Sequence, residues 1–227
     1  MTTRLKNIIT LVAVMFLFAA TSVFANEKTY HLTSPDGHIS TSVTVGESIR
    51  YSVSRDGQVL IAPSAVSMRL SDGVVFGRND KVRKVAKTSS DETFPAVAYK
   101  KAEVRDNYNQ ITLLFKEFAL VFRAYDDGVA YRFEGRLGKA KEYEVISEQA
   151  EFDFGKDRMA FVPYVIGLGG KQFDGQFYNS FENTYRLQRL YDWRKDKLAF
   201  LPLAVEAEDG VKVLVTEAGL TNYPGMY

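Results

Sequence analysis

Short runs of alternating apolar and polar residues, each closed by a turn signal, recur along almost the whole chain. Ile39–Val45 and Ile49–Ser54 alternate with period two, and Val45-Gly-Glu-Ser48 separates them. Arg55-Asp-Gly-Gln58 carries the Asp-Gly pair of a tight hairpin and leads into Val59–Ile61. Val66–Leu70 ends at Ser71-Asp-Gly73. Further runs are Gln110–Phe115, Phe118–Tyr125, Val129–Phe133, Tyr143–Ile146, Glu151–Phe154, Arg158–Val162, Leu198–Val205 and Val211–Val215. A period of two places successive side chains on opposite faces of a strand, and helical spacing is nearly missing after the first residues. The expected fold is therefore all-β, a large antiparallel β-sandwich. Phe118–Tyr125 is apolar at nearly every position and is predicted to lie between two layers.

The first residues have a different character. Arg4 and Lys6 precede an apolar run from Ile8 to Ala20, and Val23 and Ala25 occupy the small-residue positions of a cleavage site. Residues 1–25 are predicted to be a signal peptide. The run is too short for a membrane span, which needs about 20 residues, so no span is expected and the protein is placed in the periplasm or outside the cell. The mature part, 26–227, is long enough for a sizeable core. It contains no cysteine, so neither a disulfide nor a lipid on a first cysteine can contribute. Lys and Arg number 29 against 28 Asp and Glu, a balance that argues against nucleic acid as partner. Lys81–Lys87, the one basic stretch, is interrupted by Val82 and Val85 and suits a solvated strand or loop face. At the other end, Met226-Tyr227 follows a Gly/Asn/Pro loop and looks like the start of another strand. The chain is thus expected to be the front part of a longer protein.

Few enzyme signatures are present. There is no Gly-x-Ser-x-Gly elbow, no cysteine nucleophile and no zinc spacing, and His31 and His38 are the only imidazoles. Gly167-Leu-Gly-Gly170 before Lys171 lacks the first Gly and the Ser/Thr of a phosphate loop, so turn geometry is the better reading. Asp126-Asp127-Gly128 could hold a hard cation but is more often a turn, and Asp91-Glu92 suits loop surface. The segment from Gly167 to Trp193 is long, polar and rich in Phe and Tyr, as functional loops are. Within it, Glu182 lies among aromatic and amide side chains, the residue types that bind sugars or seat calcium. Glu217 ends a strand before a loop and is a candidate for substrate contact. Trp193, the only tryptophan, is more often a packing residue than a sugar platform.

Four segments carry a resemblance: Leu32–Ile39, Tyr108–Phe115 with Phe122–Phe133, Phe181-Glu-Asn-Thr-Tyr185, and Val215–Tyr227. Together they resemble the N-terminal domain of glycoside hydrolase family 97, the secreted Bacteroides-type α-glucosidases and α-galactosidases. The resemblance implies a β-sandwich joined to a catalytic (β/α)8 barrel that this chain lacks. It implies α-linked oligosaccharides as substrates and a calcium ion shared between the domains. Glu182 matches the sandwich's one calcium ligand, and the catalytic acid and its partner come from the barrel. Glycoside cleavage needs two carboxylates, so this chain alone is expected to be inactive and to bind calcium weakly or not at all. The alternatives are a stand-alone carbohydrate-binding module and a periplasmic structural protein without a ligand.

Overall fold

A computed structural model of the protein describes residues 27–97, 100–135, 142, 144–166, 173–178, 180–221, 223 and 225–226. The predicted signal peptide, Gly167–Gly170 and Tyr227 lie outside the described residues. The described residues form fourteen strands in three antiparallel sheets. The first sheet contains β1 (Lys28–Thr33), β2 (Ile39–Val45), β3 (Ile49–Arg55), β4 (Gln58–Leu70) and β10 (Val145–Ala150) in that order, with β5 (Val75–Phe76) also on β4. The second runs β6 (Lys84–Pro95), β7 (Glu103–Leu114), β8 (Phe118–Tyr125) and β9 (Gly128–Gly135). The third has the order β12 (Arg186–Arg189), β11 (Met159–Val162), β13 (Leu203–Glu206) and β14 (Lys212–Val215). The chain is all-β, as its alternation requires. Among the described residues no helix is long and apolar enough to cross a membrane.

The first two sheets enclose the main core. Val43, Ile49, Tyr51 and Val66 from one meet Ile111, Leu113, Leu120 and Phe122 from the other. Tyr51 packs on Phe122 and Tyr131 at centroid separations of 5.8 and 5.6 Å. Phe118 stacks on Phe76 at 4.5 Å and on Phe115 at 4.3 Å. Five consecutive residues at the start of β8, Phe118–Phe122, are buried, as an apolar run between layers should be. A smaller core of Ala160, Val162, Ala199 and Val205 lies under the third sheet, and Phe154 packs against both cores.

Several strands differ from the sequence reading. Val59–Ile61 and Val66–Leu70 belong to one strand, β4, which passes the two residues Ala62-Pro63 where β3 passes only Ser52. This bulge absorbs a proline that has no N–H for the ladder and restores the buried phase at Ser64–Val66. Glu151–Phe154 is not a strand. It runs beside β4 through the Glu151 N–H on the Ala65 carbonyl and the Ala62 N–H on the Asp153 carbonyl. Leu198–Val205 is cut by Pro202, and only Leu203–Glu206 is regular. The whole of β6 and the first half of β7 have little apolar alternation, because both strands of this hairpin are largely solvated. Asp91-Glu92 therefore sits in a strand and not in a loop, and Arg105, diagonally across on β7, grips Asp91 at 2.6 and 2.8 Å. The basic stretch ends in the same strand, with Lys84 and Val85 on a solvated face.

Asp126-Asp127 is the two-residue turn between β8 and β9, and Asp126 Oδ1 accepts the Asp36 N–H of the β1–β2 turn at 2.9 Å. Segments Leu32–Ile39 and Phe122–Phe133 are thus joined through a turn-to-turn hydrogen bond. Asp36 also accepts from the Ser34 hydroxyl at 2.5 Å, and this bond leads the causes that hold its carboxyl below the usual range. His38 Nδ1 lies 2.5 Å from Asp56 Oδ1, and the hydrogen bond and charge of Asp56 raise the imidazole above its ordinary 6.5. This pair stabilises the fold fully below pH 6.5 and loses its contribution as pH rises through the folded value. NMR titration should find the His38 midpoint above 6.5, and Asp56→Asn should return it towards that value.

Two glycines separate conformation from space. Gly57 has φ +82° in the β3–β4 hairpin and open space at a would-be Cβ, whereas Gly77 has φ +92° and a Cβ there would lie 2.6 Å from the Val66 carbonyl. In urea unfolding, Gly57→Ala should cost about 1 kcal/mol. Gly77→Ala should cost about 3 kcal/mol, since a backbone clash adds to the strain.

Candidate functional site

The described residues of the aromatic segment include one edge strand of the third sheet. The segment is not one irregular loop, as its composition suggests. A 3-10 turn at Phe173–Phe177 and the edge strand β12 give it regular parts. Phe181, just before Glu182, has φ +53°, a left-handed conformation that a bulky side chain adopts at a cost of about 1–3 kcal/mol. The next residues are tied down. Asn183 donates through Nδ2 to the Tyr164 carbonyl at 2.7 Å, its Oδ1 accepts the Thr184 N–H at 2.8 Å, and the Tyr185 hydroxyl donates to the Pro202 carbonyl at 3.0 Å.

These residues wall a cleft of about 390 Å³ with Val162, Tyr164, Arg186, Arg194 and Lys197. Its opposite wall is fixed by Gln176, which is buried and bonded twice. Its Oε1 accepts the Leu198 N–H and its Nε2 donates to the Asp196 carbonyl, both at 2.9 Å. Arg194 grips Asp196 in a fork at 3.0 and 2.5 Å, and this hydrogen bonding holds the Asp196 carboxyl below the usual range. Tyr164 connects the walls. Its hydroxyl oxygen accepts from Gln188 Nε2 at 2.9 Å and from the Arg194 N–H at 3.0 Å. Trp193 packs edge-on against its ring at 5.6 Å and belongs to the small core. The tryptophan is therefore a packing residue that holds Tyr164.

Glu182 is exposed and directly precedes the cleft-lining run Asn183–Arg186. Glu217 is half-buried beyond the end of β14, where its Oε1 accepts the Met226 N–H at 2.8 Å. That carboxylate fixes the following loop, and Glu217 is not part of the cleft lining. The structure thus places Glu182 beside the cleft and leaves Glu217 outside it. Among the described residues no three His, Asp or Glu side chains gather as a metal site. Tyr164, Arg186, Arg194 and Lys197 escaped the sequence reading, because only tertiary folding brings Tyr164, Arg194 and Lys197 to the run Asn183–Arg186.

A family profile described as the glycosyl-hydrolase 97 N-terminal domain matches residues 32–227. The chain belongs to this family. Over 202 residues it is 43% identical to a retaining alpha-galactosidase of Bacteroides thetaiotaomicron, a match covering 88% of this chain and 30% of that protein. The fold resembles that of a glycoside hydrolase family 97 enzyme from Pseudoalteromonas sp. strain K8, solved in complex with panose. There the TM-score is 0.71 at 23% identity, covering 87% of this chain and 30% of the other. A beta-arabinopyranosidase gives a TM-score of 0.68 at 20% identity over 84% and 31% of the two chains. The chain therefore spans about a third of the length of these relatives. The glycosyl-hydrolase 97 sandwich includes all three sheets, since the matched range runs from β1 past β14.

Replacing Tyr164 tests how the cleft is held. Tyr164→Phe keeps the ring against Trp193 but removes the acceptor for Gln188 and Arg194. Unfolding free energy should drop by about 1–2 kcal/mol, and exchange of the Arg194 amide should quicken in hydrogen-exchange NMR.

Proposed function

We propose that this chain is the sandwich domain of a secreted, calcium-dependent α-glycosidase acting on α-linked oligosaccharides, with its catalytic carboxylates in a (β/α)8 barrel. One observation carries the reading: among the described residues the cleft lining contains no carboxylate, whereas glycoside cleavage requires two, about 5–10 Å apart. A domain of this family with such a cleft assists catalysis performed elsewhere. Identity of 43% to a retaining alpha-galactosidase favours an α-galactoside and retention of configuration. Secretion to the periplasm or beyond rests on the leader-like residues 1–25.

In this reading Glu182 supplies one oxygen ligand to a calcium ion whose remaining ligands come from the barrel. Its exposure, its place beside the cleft and the strained Phe181 before it support that role. Glu217 holds the loop through Met226 and is the candidate contact to substrate. A stand-alone glycan-binding module is the second reading, favoured by Tyr178 and Tyr191, each 79% exposed.

Calorimetric calcium titration of the full-length enzyme decides between them. Glu182→Gln should weaken calcium binding and turnover together by about tenfold or more, with little change in unfolding temperature. Equal calcium affinity in wild type and variant would remove Glu182 from the metal site.

A further inference from the structure

We propose that the cleft between Tyr164, Arg186 and Lys197 binds the carboxylate of an acidic sugar. The inference rests on the glycan reading above and narrows its ligand class.

The cleft is a surface of donors. Arg186, Arg194 and Lys197 all line it. Asp196, next to this wall, is engaged by Arg194. Among the described residues no carboxylate is in ion-pair contact with Arg186 or Lys197, although the charge of Lys197 also acts on Asp196. Two of the nearby acceptors are engaged. Asn183 Oδ1 takes the Thr184 N–H, and the Tyr164 oxygen takes two hydrogen bonds. An oxygen that accepts twice still has its own proton to give, so the Tyr164 O–H remains available as a donor. A neutral sugar presents hydroxyls that both donate and accept, and it brings no charge to answer Arg186 and Lys197. A carboxylate accepts only and suits an uncommitted guanidinium, an ammonium and a phenol. Arg186 can take it with two parallel bonds, and half-buried Lys197 adds a point charge. The volume falls within the ~300–1,000 Å³ of small-molecule sites, and the rings of Tyr164 and Tyr185 offer apolar surface to a pyranose.

The test is calorimetry and NMR titration of the whole chain at low ionic strength with methyl α-galactopyranosiduronate, methyl α-galactopyranoside and sodium sulfate. The uronate should bind about tenfold more tightly than the neutral glycoside, and the preference should fade at high salt. Arg186→Gln and Lys197→Gln should each remove most of that preference. Both are exposed or half-exposed polar changes, and circular dichroism checks that the fold persists. Equal affinity for the two glycosides would overturn the proposal while leaving the glycan reading intact. Retention of the preference in both variants, sulfate binding as tight as the uronate, or binding of neither sugar would each overturn it as well. The calcium titration of Glu182→Gln judges the broader reading independently.

Discussion

The contact on which the rest of the molecule depends is made by Tyr51. Its ring, 4% exposed, leaves the first sheet and packs against Phe122 and Tyr131 of the second. Its hydroxyl donates to the Glu151 carbonyl at 3.0 Å, on the segment that leads away towards the third sheet. One side chain thus bonds two layers by aromatic packing and fixes the start of the third by a hydrogen bond. Burial raises the phenol well above its ordinary value, so the proton that makes this bond is retained across the physiological range.

The bulge at Ala62-Pro63 makes that arrangement possible. Without it, a strand as long as β4 would carry Ser64–Val66 out of phase with the core. The Ser64 hydroxyl substitutes for regular ladder contacts by donating to the Ala62 carbonyl and accepting the Asp153 N–H, each at 2.8 Å. Glu151 closes the other side, with Oε2 accepting the Ala65 N–H at 2.7 Å. The irregular stretch Glu151–Phe154 is thus fully tied along β4, and Phe154 can then pack against both cores.

The third sheet reuses the same device on a smaller scale. Tyr164, held by Trp193, does for the cleft what Tyr51 does for the sandwich: its ring packs and its hydroxyl joins separate chain segments. The small core of Ala160, Val162, Ala199 and Val205 offers little apolar area. Polar staples such as Gln176 and Asn183 therefore set the cleft's shape. A site built in this way has its charged groups at the rim, where a ligand or a neighbouring domain can reach them.

By itself the sequence determined the all-β class, the Asp56-Gly57 hairpin, the buried run of β8 and the position of the glutamate-bearing loop. Each is set by local alternation, turn chemistry or a short motif. Tertiary structure alone decided the rest. Strand β6 and the first half of β7 pair along largely solvated residues that leave no apolar period to read. Pro63 is absorbed by a bulge in which the neighbouring Ser64 accepts the N–H of Asp153, distant in sequence. Glu182 and Glu217 looked equivalent as loop carboxylates, yet one directly precedes the residues that wall a cleft and the other binds the Met226 N–H. The cleft itself unites residues from 162 to 197 through long-range hydrogen bonds. No local pattern encodes such a site, because the energy that assembles it comes from contacts between segments far apart in the chain.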